Sequence, residues 1–544
     1  MAILNFKGKA FVQNYHLQVK YHQLIPRKNK SLTKKVSLHD NLIIHGDNLK
    51  ALKSLLPTYA GKIKCIYIDP PYNTGNENWA YNDKVNSPMM QEWLGKVVDK
   101  EDLTRHDKWL CMMMPRLKLL KELLQEDGII FISIDDNEQH RLRTLMDHVF
   151  GEENFVAQVI WQKVYSPRMD AKGYSMDHDY ILAYSRSDQY CVKPVSFEQN
   201  RKQFTELDEV TQQYYRKRSL RKEGKNSRRE DRPNLFYHLD APDGSKVYPI
   251  RSDGSEGCWR WARHKYEKAK SQNIVEWIKG PDGWQVYVKQ FYDEHATRPP
   301  STMWPHSEVG HNHEANEEVK AIFAGSVFTT PKPVRLIKHI VSLVTDDEED
   351  DIILDSFSGS GTTAHAVLAL NAEDGGNRQF ILVECEDYAD KITAERVRRV
   401  IKGVPKAKDE NLCKGLGGTF SYFDLGPPIE MEAILSGDNF PSYADLARYV
   451  FYTATGEEFN PDAVNEKKNF IGESRNYLVY LFYKPDIEYL KATALTLDKA
   501  KALGPYKKKR RLVFAPTKYL DQEHLDELRI DFAQLPFEIY QLVK

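Results

Sequence analysis

The sequence has little cysteine and no long apolar run, and these absences exclude several classes of protein. Its 544 residues include 6 cysteines, which are Cys65, Cys111, Cys191, Cys258, Cys385 and Cys413. None of them forms a CxxC pair, so neither a zinc site nor a secreted disulfide scaffold is expected. No signal peptide is visible, and no apolar stretch reaches the ~18 residues that a membrane helix needs. We therefore expect a soluble, cytoplasmic protein without a metal site.

The chain also lacks an excess of charge of either sign. Lys and Arg total 77 and Asp and Glu total 78, which gives a formal net charge of -1. A protein that binds nucleic acid over its whole surface would be strongly basic, so a polyanion would have to be held by a local patch. No GxxxxGK[ST] loop occurs, and this absence excludes a P-loop ATPase within the chain. The length predicts about three or four domains.

What is present is an alternation of apolar strands with amphipathic helices. The runs NLIIH (41–45), KCIYI (64–68) and IIFISI (129–134) have the composition of buried strands, and helical spacing lies between them. The pattern resumes after residue 333, with further strands at 352–354 and 380–383. Such alternation predicts an α/β fold whose parallel sheet is covered by helices on both faces.

Composition divides the chain into five regions. They are an N-terminal arm (1–40), a first sheet region (41–190), an irregular inserted region (191–325), a second sheet region (326–404) and an α/β C-terminal accessory domain (405–544). The inserted region contains a basic run over 216–232 and a tryptophan-bearing segment over 257–284. Both suit contacts with phosphates and bases, although such a charge run is also typical of a solvated surface.

The strongest chemical signal is Asp69-Pro70-Pro71-Tyr72, directly after the strand KCIYI. An adenine N6 amine is a poor nucleophile because its lone pair is delocalised into the ring, so an attack on a methyl group requires acceptors for its hydrogens. Asp69 offers a carboxylate oxygen and Pro70 a backbone carbonyl, and the prolines fix the backbone that holds them. Tyr72 offers a ring on which an extruded base can stack. The alternative is a rigid loop with structural prolines.

The second signal is DSFSGSGTTA (355–364), between a strand and a helix. Its glycines allow the backbone to approach a ligand closely and to turn into the helix. The motif also fits GxGxxA, and Glu384 follows at the spacing of the ribose-binding acid in dinucleotide sites. An S-adenosyl-methionine site, a dinucleotide site and a plain turn all remain open. Asp355 and Phe357 favour the first, because a carboxylate can face the amino end of methionine and a ring can pack on the cofactor.

Two weaker features complete the candidate site. Asp47 follows the strand NLIIH, where it can accept a hydrogen from the exocyclic amine of the cofactor's adenine or act as an ordinary helix N-cap. Trp161 ends a later predicted strand (156–161), Lys163 follows it, and both are expected to border the pocket for the base.

In combination, these motifs resemble those of the beta group of DNA amino-methyltransferases. The segments that carry the resemblance are GDNLKALKSL, YIDPPYNTG, VIWQK, HDYILAYSR, TPKPVRLIKHIV, DSFSGSGTTAHAV and FILVECEDY. More narrowly, the chain is similar to the modification (Mod) subunits of Type III restriction systems and their solitary relatives. The resemblance spans residues 40–400, and the catalytic motif precedes the cofactor motif, which is the permuted order of that group.

The resemblance implies a Rossmann-like sheet that transfers a methyl group from S-adenosyl-L-methionine to adenine N6 in double-stranded DNA by base flipping. The residues that it implies for catalysis are Asp69, Pro70, Pro71 and Tyr72. Those that it implies for cofactor binding are Asp47, Lys332, Asp355, Phe357, Gly359, Gly361 and Glu384. It also implies that the inserted region recognises the target sequence. The expected partners are double-stranded DNA, a separate restriction (Res-type) subunit and a second copy of the chain, with no membrane.

Three other activities remain as alternatives. A cytosine-N4 methyltransferase would use the same cleft, and such members of the group often carry Ser where this chain has Asp69. An RNA or protein amine methyltransferase would have less use for the basic inserted region. A dinucleotide-dependent oxidoreductase would use the glycine-rich motif but leave the DPPY loop unexplained.

Overall fold

The computed structural model describes residues 4–74, 104–167, 169, 171–281, 283–405, 407, 409–429, 440–506 and 508–535. The chain divides into two compact units, of which one comprises residues 1–193 and 301–544 and the other residues 194–300. Within the described ranges, no helix combines the length and the apolar character needed to cross a lipid bilayer.

Strands and α-helices follow one another along the chain. The strands are β1 His22–Pro26, β2 Leu42–His45, β3 Ile63–Ile68, β4 Leu124–Ile134, β5 Phe155–Gln162, β6 His178–Ser185, β7 Val195–Ser196, β8 Glu206–Leu207, β9 Tyr214–Ser219, β10 Leu239–Asp240, β11 Lys246–Val247, β12 Val275–Gly280, β13 Gly283–Phe291, β14 Thr297–Arg298, β15 Met303–Trp304, β16 Ile352–Asp355, β17 Gln379–Glu384, β18 Ser421–Pro428, β19 Phe470–Glu473, β20 Tyr477–Leu481, β21 Arg510–Ala515 and β22 Ile530–Gln534. The α-helices are Lys9–Val12, Tyr15–Gln18, Asn48–Tyr59, Arg105–Leu123, Gln139–Phe150, Arg263–Ser271, His306–Val309, Asn312–Phe323, Val334–Ser342, Thr362–Asp374, Glu395–Lys402, Glu410–Lys414, Tyr443–Thr455, Ile487–Ala492, Leu497–Ala502 and Gln522–Glu527.

A ten-stranded mixed sheet forms the centre of the larger unit, in the order β1-β18-β2-β17-β16-β3-β4-β6-β5-β15. The strands from β18 to β4 in this order are parallel to one another. β6 runs antiparallel to both β4 and β5, and β1 runs antiparallel to β18. The predicted α/β, Rossmann-like fold is confirmed, and antiparallel strands extend its parallel part at both edges. An apolar strand such as β6 has the same composition whichever way it runs, so the sequence pattern did not reveal its direction.

The position of the ligand site follows from the order of the parallel strands. β3 and β16 are neighbours in the sheet. From β3 the chain continues to β4 on one side, and from β16 it continues to β17 on the other. A crevice forms outside the carboxyl ends of parallel strands at the point where the connections diverge in this way. The DPPY loop follows β3 and the glycine-rich loop follows β16, so both loops border this crevice.

Both terminal regions contribute to the same sheet. β1 lies in the region predicted as an N-terminal arm, and β18 in the region predicted as the accessory domain, yet they pair with each other and β18 pairs with β2. The later residues form a four-stranded sheet in the order β19-β20-β21-β22. That sheet and the helix Tyr443–Thr455 share a hydrophobic core.

The smaller unit, residues 194–300, contains a four-stranded antiparallel sheet in the order β12-β13-β9-β8. Its core is a cluster of buried residues: Leu220, Leu239, Trp259, Tyr266, Val286 and Val288. The unit is shorter than the inserted region predicted over 191–325. Residues 301–325 lie in the larger unit, because β15 pairs with β5 and extends the main sheet.

Candidate active site

One cavity of about 570 Å³ opens at the carboxyl ends of β3 and β16. The residues of the predicted site that line it are Asp69, Pro70, Pro71, Tyr72, Lys332, Asp355, Phe357 and Gly359. The DPPY loop and the glycine-rich loop are separated by nearly 300 residues in the chain, so their meeting in one cavity depends on the pairing of β3 with β16. Loops that follow neighbouring parallel strands at the same edge of a sheet can border one ligand crevice.

Hydrogen bonds with the helix Arg105–Leu123 and with Glu138 hold the DPPY loop in place. The indole Nε1 of Trp109 donates to the carbonyl of Pro71 at 2.7 Å. Asn73 has a positive φ of 56°, and its side-chain amide donates to the fully buried Glu138 and to the carbonyl of Arg105. The loop therefore has a fixed shape before any ligand binds, as a site that must orient a base requires.

Asp69 is paired with a lysine that also lines the cavity. Its Oδ2 accepts a hydrogen bond from Nζ of Lys332. Its Oδ1 is buried and has no hydrogen-bond partner within the described parts of the chain. Nζ of Lys332 also lies 5.2 Å from the centroid of the Tyr72 ring. Burial first, and then the Asp69 carboxylate, raise the pKa of the Tyr72 phenol well above its ordinary value, so this ring stays uncharged.

The glycine-rich loop is held by two buried carboxylates. Asp355 accepts a hydrogen bond from the backbone N–H of Phe357 at 3.0 Å and another from the hydroxyl of Thr363 at 2.6 Å. Burial raises the pKa of Asp355 to about 7, although both hydrogen bonds oppose the shift. Oε2 of Glu384 accepts the N–H of Gly359 at 2.7 Å. Both acids thus give the loop its shape, and Asp355 also lines the cavity.

Three residues predicted to bind the cofactor lie outside the cavity lining, namely Asp47, Gly361 and Glu384. Asp47 caps the helix Asn48–Tyr59 by accepting the N–H of Lys50 at 3.1 Å. Gly361 has a φ of 80° and immediately precedes the helix that follows the loop. Glu384 and Gly361 support the glycine-rich loop, and direct contact of any of the three residues with a ligand stays a prediction.

Trp161 does not border the cavity, contrary to the prediction. Its side chain is 0% exposed, and its indole N–H donates to the carbonyl of Gly310 at 3.0 Å. The neighbouring Lys163 does line the cavity. The ring of Trp161 is instead buried in the core.

Sequence reasoning missed Asp179 as a residue of the site. Asp179 lines the cavity and pairs with Nζ of Lys163 at 2.6 Å. Burial raises its pKa, while the charges of Lys163 and Lys332 oppose that shift. Asp179 lies at the start of β6, and the antiparallel direction of β6 brings this end to the ligand edge of the sheet. Recognising HDYILAY as an antiparallel strand would have identified it.

Hydroxyl groups form much of the remaining cavity wall. The side chains concerned are Ser358, Ser360, Thr362 and Thr363. Oγ of Ser358 is buried and has no hydrogen-bond partner in the described structure. No group of three or more His, Cys, Asp or Glu residues within the described ranges could hold a metal ion. The wall therefore suits a polar organic ligand.

Comparison with known proteins identifies related sequences. Residues 63–395 match the model of a protein family described as DNA methylase. The Mod subunit of the Type III restriction-modification enzyme StyLTI of Salmonella typhimurium is 32% identical over 84% of this chain and 70% of that protein. The EcoPI Mod subunit of Escherichia phage P1 is 31% identical over 80% of this chain and 74% of that protein.

A Type II enzyme and a solved structure are also similar to the chain. The Type II methyltransferase M.KpnI of Klebsiella pneumoniae is 34% identical over 62% of this chain and 79% of that protein. The structure of the PvuII DNA methyltransferase (cytosine-N4-specific) has 11% identity and a TM-score of 0.34, over 65% of this chain and 86% of that one. The structural overlap is too low to bear on the choice of substrate.

Proposed function

The chain belongs to the DNA methylase family, together with the Mod subunits of Type III restriction-modification systems, and from this premise we propose its reaction and its partners. It transfers a methyl group from S-adenosyl-L-methionine to adenine N6 in double-stranded DNA, as the modification component of a restriction-modification system. The observation that carries this proposal is the single cavity that Asp69 and Tyr72 share with Asp355 and Phe357.

The reaction at the base rests on Asp69 and Pro70. The buried Oδ1 of Asp69 has no hydrogen-bond partner in the described ranges, so it can accept one hydrogen of the adenine amine. The carbonyl of Pro70 accepts the other hydrogen. Two acceptors draw the nitrogen toward tetrahedral geometry and free its lone pair to form the N–C bond. The S–C bond of the donor would break with its electron pair going to sulfur, and the excess proton on the amine would pass to the Asp69 carboxylate and on to solvent. A base turned out of the duplex stacks on the uncharged ring of Tyr72.

The part of the cavity lined by the glycine-rich loop fits the cofactor. S-adenosyl-methionine supplies an electrophilic methyl group on a positively charged sulfur. The carboxyl of Asp355 offers an acceptor for its amino group, and the Phe357 ring offers an apolar surface. The buried and unpartnered hydroxyl of Ser358 is a further polar atom that a ligand can satisfy. The chain's own residues therefore bind and orient, and no covalent enzyme intermediate is required.

Asp69 supports adenine rather than cytosine as the acceptor. Cytosine-N4 members of the beta group often carry Ser at the position of Asp69. A carboxylate is the stronger acceptor for an amine hydrogen, because charge-assisted hydrogen bonds are about twice as strong as neutral ones. Mass spectrometry of digested product DNA distinguishes N6-methyladenine from N4-methylcytosine.

The proposed partners follow from this reaction. Double-stranded DNA contacts the smaller unit, where Lys225, Arg228 and Arg232 are exposed. A separate Res-type subunit and a second copy of the chain complete the proposed assembly, which works with the DNA in the cytoplasm. A basic patch of this kind contacts phosphates and fixes the register of the protein on the duplex.

The test combines expression in a methylation-free host with a matched pair of variants. The wild-type chain is expected to leave N6-methyladenine at one sequence motif of the host genome, detected by modification-sensitive sequencing. Asp69→Ala is expected to lower transfer of a labelled methyl group by about a hundredfold or more, with cofactor affinity nearly unchanged. Asp127→Ala is the control, because Asp127 pairs with Lys64 near the amino end of β3 rather than with a cavity residue. Comparable transfer by the Asp69 variant would contradict the proposal.

A further inference from the structure

Arg396 is a buried arginine directly behind the glycine-rich loop. It lies in the first turn of the helix Glu395–Lys402, and its side chain is 0% exposed. Nη1 donates to Oγ of Ser360 at 2.9 Å and to Oγ1 of Thr362 at 2.8 Å. Nη2 lies 3.3 Å from Nδ1 of His365. The guanidinium thus contacts two hydroxyls that line the cavity, without lining the cavity itself.

The charge of Arg396 has no direct carboxylate partner. Burial lowers the pKa of Arg396 to about 10, which leaves the group protonated at neutral pH. Burial lowers the pKa of His365 well below its ordinary value, so this ring is a neutral acceptor. Among the described residues, no carboxylate forms an ion pair with the guanidinium, and its Nε has no hydrogen-bond partner.

Among the described residues, the acid whose charge acts on Arg396 is Glu318, and burial disfavours the ionised form of that carboxyl. Glu318 favours the charged form of Arg396 electrostatically. Burial nevertheless raises the pKa of the Glu318 carboxyl to about 7, and this carboxyl accepts the backbone N–H of Val334 at 3.1 Å. A buried cation without a bound counter-ion is costly. An anion that arrives with a ligand would offset that cost.

We propose that Arg396 is a positioning residue for the carboxylate of the methionine end of S-adenosyl-methionine, an inference that rests on the proposed function. Because Nη1 donates to both hydroxyl oxygens, the hydrogens of Ser360 and Thr362 must point away from Arg396. Ser360 and Thr362 are 3.3 Å apart, so one hydroxyl can donate to the other. The remaining hydrogen is directed to the cavity, and the buried charge makes it a stronger donor.

The start of the helix Thr362–Asp374 supports the same position for the carboxylate. This helix has 13 residues, and its first turn meets the cavity at Thr362 and Thr363. Free backbone N–H groups and the helix dipole favour an anion at such an end. The ligand carboxylate would therefore bind between the helix terminus and the oriented hydroxyls, with the Arg396 charge behind them.

The decisive experiment compares two cofactors that differ only in this carboxylate. Calorimetry measures the binding of S-adenosyl-methionine and of decarboxylated S-adenosyl-methionine to the full chain. Arg396→Met is expected to weaken binding of the first by about ten- to hundredfold and of the second by less than about threefold. Arg396→Lys is expected to recover part of the difference. Arg399→Met is the control, since Arg399 lies on the same helix and its guanidinium bonds Glu395 and the carbonyl of Ile322.

A second pair of variants keeps the inference testable if the Arg396 variants do not fold. Ser360→Ala combined with Thr362→Val removes the oriented hydroxyls. It is expected to weaken binding of S-adenosyl-methionine, relative to decarboxylated S-adenosyl-methionine, by a factor similar to that of Arg396→Met. Equal losses for both cofactors, in either set of variants, would overturn the role of Arg396. Failure of the wild-type chain to bind S-adenosyl-methionine at all would instead overturn the proposed function.

Discussion

At the residue scale, pairs of opposite charge organise the cavity. Lys332 pairs with Asp69, and Lys163 pairs with Asp179 at 2.6 Å. A paired carboxylate keeps one oxygen engaged, so its orientation is set before a ligand binds. Lys332 was predicted to bind the cofactor, but its described contacts are with Asp69 and the Tyr72 ring. Its role is therefore proposed to be the orientation of Asp69.

We predict that Lys332→Met slows methyl transfer more than it weakens cofactor binding. Loss of the ion pair lets Asp69 rotate, and removal of one partner of a charged hydrogen bond typically costs about 1.5–3 kcal/mol, or roughly ten- to hundredfold in rate. Single-turnover transfer and cofactor calorimetry measure the two effects separately. Lys338→Met is the control, because Lys338 pairs with Glu373 rather than with a cavity residue. Equal losses in rate and cofactor affinity would favour the original cofactor role.

A second prediction concerns the pH dependence of stability. Burial raises the pKa of Asp355 from its ordinary value of 3.8 to about 7. Between these values the folded chain keeps a proton that the unfolded chain has released, so the Asp355 contribution to the free energy of unfolding decreases as pH rises. Asp355→Asn has no such titration. The melting temperature of wild type relative to the variant should therefore fall from pH 5 to pH 8, and a constant difference would contradict the prediction.

At the scale of elements, the glycine-rich loop depends on one backbone conformation. Gly361 has a φ of +80°, and a Cβ atom there would lie 3.1 Å from the carbonyl of Thr393. Gly375, at the other end of the same helix, has a φ of +79°, and nothing lies within 4 Å of its Cβ position. Both positions carry the same cost of a left-handed backbone, but only Gly361 is crowded and next to the cavity.

This pair of glycines gives a matched prediction. Gly361→Ala should weaken binding of S-adenosyl-methionine by about tenfold or more, because relieving a close approach shifts a loop that must fit the ligand. Gly375→Ala should lower the melting temperature through its left-handed backbone but leave cofactor affinity unchanged. Calorimetry and thermal unfolding of both variants provide the measurement. Equal cofactor affinity in the two variants would show that crowding at Gly361 does not matter to the site.

The N-terminal segment that was predicted as an arm contributes the strand β1 to the main sheet. Leu24 in β1 is 9% exposed and packs in the main core, whereas Leu17 is 57% exposed. We predict that Leu24→Ala lowers the free energy of unfolding by about 2–4 kcal/mol, and that Leu17→Ala lowers it by less than about 0.5 kcal/mol. Denaturant unfolding measures both values. A small decrease for the Leu24 variant would mean that the segment is not part of the cooperative fold.

At the scale of the whole molecule, we propose that the larger unit performs the methyl transfer and that the smaller unit binds DNA. The larger unit contains the cavity, and the smaller unit, residues 194–300, contains the basic run. We predict that Arg228→Ala with Arg232→Ala reduces the slope of DNA affinity against salt by roughly 0.9 for each phosphate that the variant no longer neutralises. Lys467→Ala with Lys468→Ala removes the same charge from exposed positions in the larger unit. An equal effect of both pairs would argue against DNA binding by the smaller unit.

Much of the fold and of the candidate site could be predicted because the informative patterns are local. Apolar runs identified the strands β2, β3, β16 and β17, and the motifs that follow β3 and β16 line one cavity. The membership in the DNA methylase family is likewise confirmed. Asp179 and Arg396 escaped prediction because the position of each depends on long-range packing. The first depends on the direction of β6, and the second on a helix that follows β17.

By itself, the sequence determined which chemical groups are available and which loops carry them, since residue type and local spacing fix the DPPY and glycine-rich motifs. Only the tertiary structure decided which groups meet. The pairing of β3 with β16 joins two loops that lie far apart in the chain. The tertiary structure also decided that Lys332 pairs with Asp69 and that Trp161 lies in the core. The physical reason is that strand direction and long-range pairing follow from packing of the whole chain, which no local pattern records.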